Sequence, residues 1–140
     1  MKALERLLGT WKFENIGKIP KGPRYTGTQK RELVLGGRFV QEKIFDDEGK
    51  PTFIGMYTYD SNRKIYRYWF FHSSGFYWDS TGTWDESSQT FTLTNRLRGD
   101  VTGTLTVQFS DDTTCVWSII NRDAGGEVIF HMEGRVVRQK

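Results

Sequence analysis

The amino-acid sequence predicts an all-β fold, a single up-and-down antiparallel β-barrel of about ten strands preceded by one short N-terminal helix. Short segments of alternating apolar and polar residues recur along the chain, separated by turns rich in Gly, Asp, Asn and Ser. Aromatic residues make up 15% of the chain, which favours strands over helices. Helical spacing is confined to residues 1–8. The length of 140 residues predicts one domain, residues 1–140.

The N-terminal segment changes its period at a glycine. Leu4, Leu7 and Leu8 share one helical face, and Gly9 ends the helix because glycine readily adopts the left-handed conformation of a helix stop. From residue 10 the period is two, with Trp11 at the first inward position. We therefore expect Trp11 to plug one end of a closed sheet.

The remaining chain divides into strands and turns. Residues 17–23 contain two prolines and two glycines and predict a loop, whereas Gly36 and Gly37 predict a tight hairpin turn. An open meander of this size would leave two exposed edges, so closure into a barrel is favoured. The predicted strands are residues 10–16, 24–35, 38–46, 52–60, 64–72, 76–84, 90–94, 101–109, 114–121 and 128–136.

Alternation assigns an inward face to most strands but leaves it undecided for residues 38–46, 52–60, 64–72 and 114–121. Where it decides, the inward positions are mainly large and apolar, with a few polar residues among them. The predicted apolar interior is Trp11, Phe13, Leu33, Leu35, Phe76, Trp78, Trp84, Leu93, Leu105, Phe109, Phe130 and Met132. The predicted polar interior is Asn15, Gln29, Arg31 and Ser80.

Composition and isolated residues exclude several classes of function. The net charge of +3 comes mainly from basic residues between 18 and 31, but no groove-reading helix accompanies them, so nucleic acid is not an expected partner. One cysteine, Cys115, permits no internal disulfide and fits a reducing compartment, so we expect a cytoplasmic protein with no membrane segment. His72 and His131 each stand alone, and we expect no metal, no cofactor and no catalytic residue.

The first strand carries a recognisable motif. Leu8-Gly9-Thr10-Trp11-Lys12 resembles the Gly-x-Trp signature of the calycin superfamily, which contains the lipocalins and the fatty-acid-binding proteins. Arg135 or Arg138 resembles the last-strand arginine that packs over that tryptophan in calycins. More closely, the chain resembles a family of small bacterial proteins of unknown function, through residues 33–39, 59–60 and 82–85. The resemblance implies a calycin-like barrel whose relatives mostly carry small apolar ligands.

The sequence also departs from these relatives. The segment 17–23 is too short for the helical lid of a fatty-acid-binding protein, and Val137 stands where those proteins have the tyrosine of a carboxylate-binding Arg-x-Tyr pair. Some calycin-like barrels hold haem through a histidine on a late strand. His131, however, shares its face with Glu133 and Arg135, so we expect it to face solvent and to bind no haem.

The function predicted from these residues is non-catalytic binding of a small apolar or amphipathic molecule inside the barrel. One alternative is a small-molecule enzyme of the isomerase or decarboxylase type that uses Arg67 with Tyr66, Tyr68 and Asp79. Another is a filled barrel that acts as an interaction module, and a homodimer is left open. The predicted ligand-binding residues are Gln29, Arg31, Arg67, Trp69, Phe76, Trp78, Ser80, Trp84, Phe130 and Met132.

Overall fold

Ten strands account for most of the chain in the computed structural model, which describes residues 2–140. A 3-10 turn at Leu4–Leu7 precedes them, and a second 3-10 turn at Arg98–Asp100 joins the seventh to the eighth. The strands are β1 Gly9–Ile19, β2 Lys21–Val34, β3 Phe39–Asp46, β4 Pro51–Asp60, β5 Ile65–His72, β6 Tyr77–Asp85, β7 Thr90–Arg96, β8 Thr102–Phe109, β9 Thr114–Arg122 and β10 Val128–Arg138.

The sheet closes on itself. Each strand pairs antiparallel with its neighbours in sequence, and β1 pairs with β10, where Trp11 lies opposite Arg138 and Phe13 opposite Val136. Within residues 2–140, closure leaves no strand edge exposed to another chain. The predicted all-β barrel of about ten strands is confirmed, and the predicted helix is a single 3-10 turn.

Two local predictions on the first hairpins are wrong. Residues 17–23 are not a loop, because β1 continues to Ile19 and β2 begins at Lys21, leaving Pro20 at the turn, where it interrupts no ladder. The Gly36-Gly37 turn is present. Leu35, however, belongs to that turn, with a φ of 53° and 69% of its surface exposed, so it does not point inward.

The 3-10 turn covers one end of the barrel, which we call the closed end. Leu4, Leu7 and Trp11 are completely buried there, and Trp11 Nε1 donates a 2.8 Å hydrogen bond to the carbonyl of Leu7. Gly9 has a φ of +115°, and a Cβ on it would lie 2.8 Å from Arg138 Nη1. Glycine is therefore required both by the backbone and by the arginine.

Burial and register settle the four strands whose inward face the sequence left undecided. Their buried side chains alternate with more exposed ones, and the buried set packs into the common core. The opposite end of the barrel, which we call the open end, is formed by the β1–β2, β3–β4, β5–β6, β7–β8 and β9–β10 connections. The inward residues of these four strands are Val40, Glu42, Ile44, Phe53, Gly55, Tyr57, Tyr66, Tyr68, Phe70, Cys115, Trp117, Ile119 and Asn121.

Candidate functional site in the open half of the barrel

Along β9 and β10, the solvent exposure of the inward side chains rises from the closed end towards the open end. Cys115 and Val136, which pair across β9 and β10 near the closed end, are completely buried. Further along the same strands, Leu105, Ile119 and Met132 form one inward row across β8, β9 and β10, and each is only partly buried. Because these side chains point inward from the middle of their strands, their exposure places solvent-accessible space inside the barrel.

A polar pair with no partner lies beside that row. Asn15, Gly134 and Trp117 stand opposite one another on β1, β10 and β9. Asn15 Oδ1 and Trp117 Nε1 are buried and have no hydrogen-bond partner. Both approach the position that a Cβ on Gly134 would occupy. The glycine thus lets one acceptor and one donor come close together, and neither has a hydrogen-bond partner in the protein.

A second polar pair has the same arrangement closer to the open end, two rows from the first, with the row of Leu105, Ile119 and Met132 between them. Asn95, Gly103 and Asn121 stand opposite one another on β7, β8 and β9. A Cβ on Gly103 would meet Asn95 Oδ1 and would lie 2.8 Å from Asn121 Oδ1. Asn95 Oδ1 is buried without a partner. Unpaired buried polar atoms are rare and costly, so those on these two rows mark a candidate place for a bound molecule or water.

Aromatic rings line β4, β5 and β6 at the open end. Phe70 stacks on Trp78 with ring centroids 4.0 Å apart, Phe53 lies 4.7 Å from Phe70, and Phe76 lies 4.9 Å from Trp78. Phe53 and Trp78 are partly buried, and Phe76 is 53% exposed at the rim. The open half therefore combines an aromatic wall with the polar pairs of β1 and β7–β10.

A buried ion pair occupies the interior between β2 and β3. Arg31 Nη2 lies 2.9 Å from Glu42 Oε1, Arg31 Nε donates to the same oxygen, and Tyr68 OH donates a 3.0 Å bond to Glu42 Oε2. Burial is the largest influence on Arg31 and lowers its pKa, but the charge and hydrogen bond of Glu42, together with Tyr57 and Cys115, outweigh it, so the pKa of Arg31 is raised. Burial, followed by the Glu42 charge, raises the pKa values of Tyr57 and Tyr68. Arg31 and Glu42 therefore form a charge-balanced network with Tyr57 and Tyr68, whose hydroxyl groups stay protonated.

Most of the predicted ligand-binding residues share the interior. Gln29 and Ser80 are buried, with Gln29 Oε1 and Ser80 Oγ unpartnered. Trp84 faces inward near the closed end, where its Nε1 donates to Glu86 Oε2 at 2.7 Å. The other predicted residues on the inward faces are Arg31, Trp78, Phe130 and Met132, with Phe76 at the rim.

Arg67 and Trp69 lie outside the barrel. The inward residues of β5 are Tyr66, Tyr68 and Phe70, so the residues between them face solvent. The Arg67 guanidinium lies 5.5 Å from the Trp69 ring centroid and 4.0 Å from Asp79 Oδ2 on the outer face. Arg67 and Trp69 are therefore separated from the other predicted ligand-binding residues, which face the interior.

Sequence reasoning did not identify Glu42, Asn95, Asn121 or Trp117. Trp117 and Asn121 belong to a period-two series with Cys115 and Ile119, which could have indicated an inward face. The residues between them include Val116 and Ile120, which are also apolar, so alternation did not distinguish the two faces of β9. Only register fixes which set faces inward.

The outer surface carries a groove of about 700 Å³ across β1, β2 and β7–β10, and its lining includes Trp117 and Gly134 of the interior pair. Several of its polar side chains pair with one another, since Arg24 lies 2.9 Å from Glu14 and Thr106 bonds to Ser118 at 2.7 Å. The interior, where polar atoms lack partners, is the stronger candidate.

Other reactive groups do not form a site. His131 faces outward and its Nε2 lies 3.1 Å from Glu133 Oε1. Within residues 2–140, no three His, Cys, Asp or Glu side chains cluster as metal ligands would. Over the same residues, no helix has the length and apolar character needed to cross a membrane.

Comparison with known proteins places this barrel in a family. The model of DUF1579, a family of proteins of unknown function, matches residues 1–138. The chain belongs to the DUF1579 family. No curated protein matches it.

Solved structures share the fold at low sequence identity. Rv2717c from M. tuberculosis is 18% identical, with a TM-score of 0.66 over 100% of this chain and 99% of that one. The S-type phycobiliprotein lyase CPES from Guillardia theta is 11% identical, with a TM-score of 0.65 over 99% and 92%. A fluorescence-activating β-barrel designed de novo is 17% identical, with a TM-score of 0.52 over 99% of both chains. These likenesses show a shared barrel fold.

Proposed function

We propose that the protein binds a small, largely apolar molecule in the open half of the barrel and performs no chemistry on it. The observation that carries this proposal is the row Leu105, Ile119 and Met132, which points inward from mid-strand and yet keeps contact with solvent. Apolar side chains around a concave space, accompanied by a few polar groups, are typical of small-molecule sites. The shared fold of a phycobiliprotein lyase and a fluorescence-activating barrel is consistent with such a role.

The arrangement of charged residues argues against the enzymatic alternative. Arg67 and Asp79 lie on the outer face, whereas Tyr66 and Tyr68 point inward, so this set forms no common site. The inward carboxylate of Glu42 already accepts hydrogen bonds from Arg31 and Tyr68. These contacts with Arg31 and Tyr68 hold the carboxylate in a structural network, which makes it a poor candidate for a general base.

A filled barrel is the competing interpretation, and a lumen-blocking variant distinguishes the two. Ile119 points inward, while its neighbour Ile120 pairs with His131 and Thr104 on the outer face. Ile119→Trp adds bulk inside the barrel, and Ile120→Trp adds the same bulk outside. The probe is N-phenyl-1-naphthylamine, a neutral dye whose emission rises in apolar surroundings.

We expect saturable dye binding by the wild type and by Ile120→Trp, and at least tenfold weaker binding by Ile119→Trp. Thermal unfolding of each variant checks that the protein is folded. If folded wild-type protein shows no saturable binding, the carrier proposal fails and the filled barrel remains. Native mass spectrometry of freshly purified protein would identify a co-purifying molecule and give the oligomeric state.

For location, we propose the cytoplasm, because the only thiol, Cys115, is unpaired and buried.

A further inference from the structure

We infer that the open half of the barrel selects an uncharged aromatic molecule that carries both a hydrogen-bond donor and an acceptor. The inference rests on the proposed binding function and goes further by naming the chemical class of the ligand. Three independent features support it, namely the balanced charges of the lumen, the unpaired polar atoms of Asn15, Trp117 and Asn95, and the aromatic wall.

The charges inside the lumen balance each other, although Arg31 Nη1 has no hydrogen-bond partner. Between the two rims, the charged side chains on the inward faces of residues 2–140 are Arg31 and Glu42, and they neutralise each other at 2.9 Å. At the open rim, Asp46 accepts hydrogen bonds from the backbone N–H groups of Glu48 and Lys50. A buried ion without a counter-ion is strongly disfavoured, and Glu42 already balances the charge of Arg31, so a charged ligand group would lack a counter-ion here.

The polar pairs require both kinds of hydrogen bond. Trp117 Nε1 can only donate, so it needs an acceptor. Asn15 Oδ1 approaches the same space above Gly134 and needs a donor. Asn95 Oδ1, two rows closer to the open end, is likewise an acceptor with no donor. One neutral amide, lactam or similar group on a ligand would satisfy a donor and an acceptor at once, whereas a hydrocarbon would leave them unpaired at a cost.

The aromatic wall favours a flat ring. Phe70 and Trp78 are already stacked at 4.0 Å, and Trp78 and Phe53 remain partly exposed beside them. Aromatic rings gain from stacked or edge-on contact beyond the area they bury. A planar molecule lying against this wall would direct its polar edge towards the strands that carry the amides.

Three probes with one naphthalene ring test the inference. 2-Naphthamide is neutral with a donor and an acceptor, methyl 2-naphthoate is neutral with acceptors only, and 2-naphthoate is an anion. Each competes against bound N-phenyl-1-naphthylamine. We expect 2-naphthamide to bind at least tenfold more tightly than 2-naphthoate and about fivefold more tightly than the ester, the gain of about one hydrogen bond.

Side-chain variants then locate the preference. Asn15→Leu and Asn95→Leu, made separately, should each reduce the preference for amide over ester, while Gln108→Leu on the exposed face of β8 should leave it unchanged. Because the wild-type comparison needs no variant, a misfolded variant does not remove the test. Equal binding of amide and ester, or tight binding of 2-naphthoate, would overturn the inference while leaving the binding function intact. Loss of N-phenyl-1-naphthylamine binding itself would instead overturn the proposed function.

Discussion

The guanidinium of Arg138 lies 4.3 Å from the centroid of the Trp11 ring and joins the last strand to the first turn of the chain. It donates hydrogen bonds to the carbonyls of Leu8, Arg6 and Asp112, the last two at 2.9 and 3.1 Å. The arginine expected to cover the tryptophan is therefore Arg138. Its planar, multi-donor group suits this combination of stacking and backbone capping.

Trp11→Ala should lower the free energy of unfolding by about 3–5 kcal/mol. The ring is completely buried, packs 6.4 Å from Phe109 in an edge-on arrangement, and its Nε1 bond to Leu7 holds the 3-10 turn over the closed end. Urea unfolding followed by circular dichroism measures the change. Trp69→Ala, on the outer face, is the matched control. A loss below about 1 kcal/mol for Trp11→Ala would show that the plug is not an important part of the core.

Arg31→Met should destabilise the protein by about 3–5 kcal/mol, because it leaves the Glu42 carboxylate buried without its partner. The double variant Arg31→Met with Glu42→Leu removes both charges and should recover most of that loss. Chemical unfolding of the two single variants and the double variant gives the coupling energy.

The exposed pair Arg24 and Glu14 provides the control for this cycle, since its side chains are 66% and 52% exposed and its coupling should stay below about 1 kcal/mol. If Arg31→Met were as mild as Arg24→Met, the buried network would not be holding β2 to β3. The result would then favour the interpretation that Arg31 is available to an anionic ligand.

The sequence was sufficient for the architecture because the patterns that specify it are local. Period-two alternation, the Gly36-Gly37 turn and the Trp11 signature each depend on neighbouring residues, and each is present in the structure. The errors arose where local signals conflict with pairing. Pro20 and the nearby glycines predicted a loop. In the structure, β1 and β2 stay hydrogen-bonded to each other almost to the proline, because each strand supplies the backbone partners of the other.

The candidate site was less predictable because it depends on register. In β5, aromatic residues occupy both faces, so alternation gave no reason to place Tyr68 inside and Trp69 outside. Glu42 is a charged residue in a strand and reads as solvent-exposed, until pairing places it opposite Arg31. The convergence of Asn15 and Trp117 above Gly134 brings β1 against the β9–β10 hairpin from the other end of the chain, and no local pattern encodes it.

Cys115 should resist thiol reagents in the folded protein. Burial raises the pKa of its thiol from the ordinary 9.0 to about 11, so the reactive thiolate is scarce at pH 8 and the sulfur is also inaccessible. We expect reaction with a chromogenic disulfide to be at least a hundredfold slower in buffer than in denaturant. Because the folded-state pKa is raised, the stabilisation from the neutral thiol is complete below pH 9 and declines as the pH rises towards 11. Rapid labelling at pH 8 in buffer would show that β9 opens readily.

Gly134→Ala should destabilise the barrel by about 1–3 kcal/mol and weaken the binding of 2-naphthamide, because the added methyl group enters the space that Asn15 Oδ1 and Trp117 Nε1 share. Gly22→Ala is the matched control: its φ is not positive, and the nearest atom to the new Cβ is 3.8 Å away. The control should be neutral or slightly stabilising, through the unfolded state. Thermal unfolding and dye competition measure both effects. If Gly134→Ala remained folded and kept wild-type affinity for 2-naphthamide, the space above Gly134 would not be part of the ligand site. The polar edge of the ligand would then contact Asn95 and Asn121 alone.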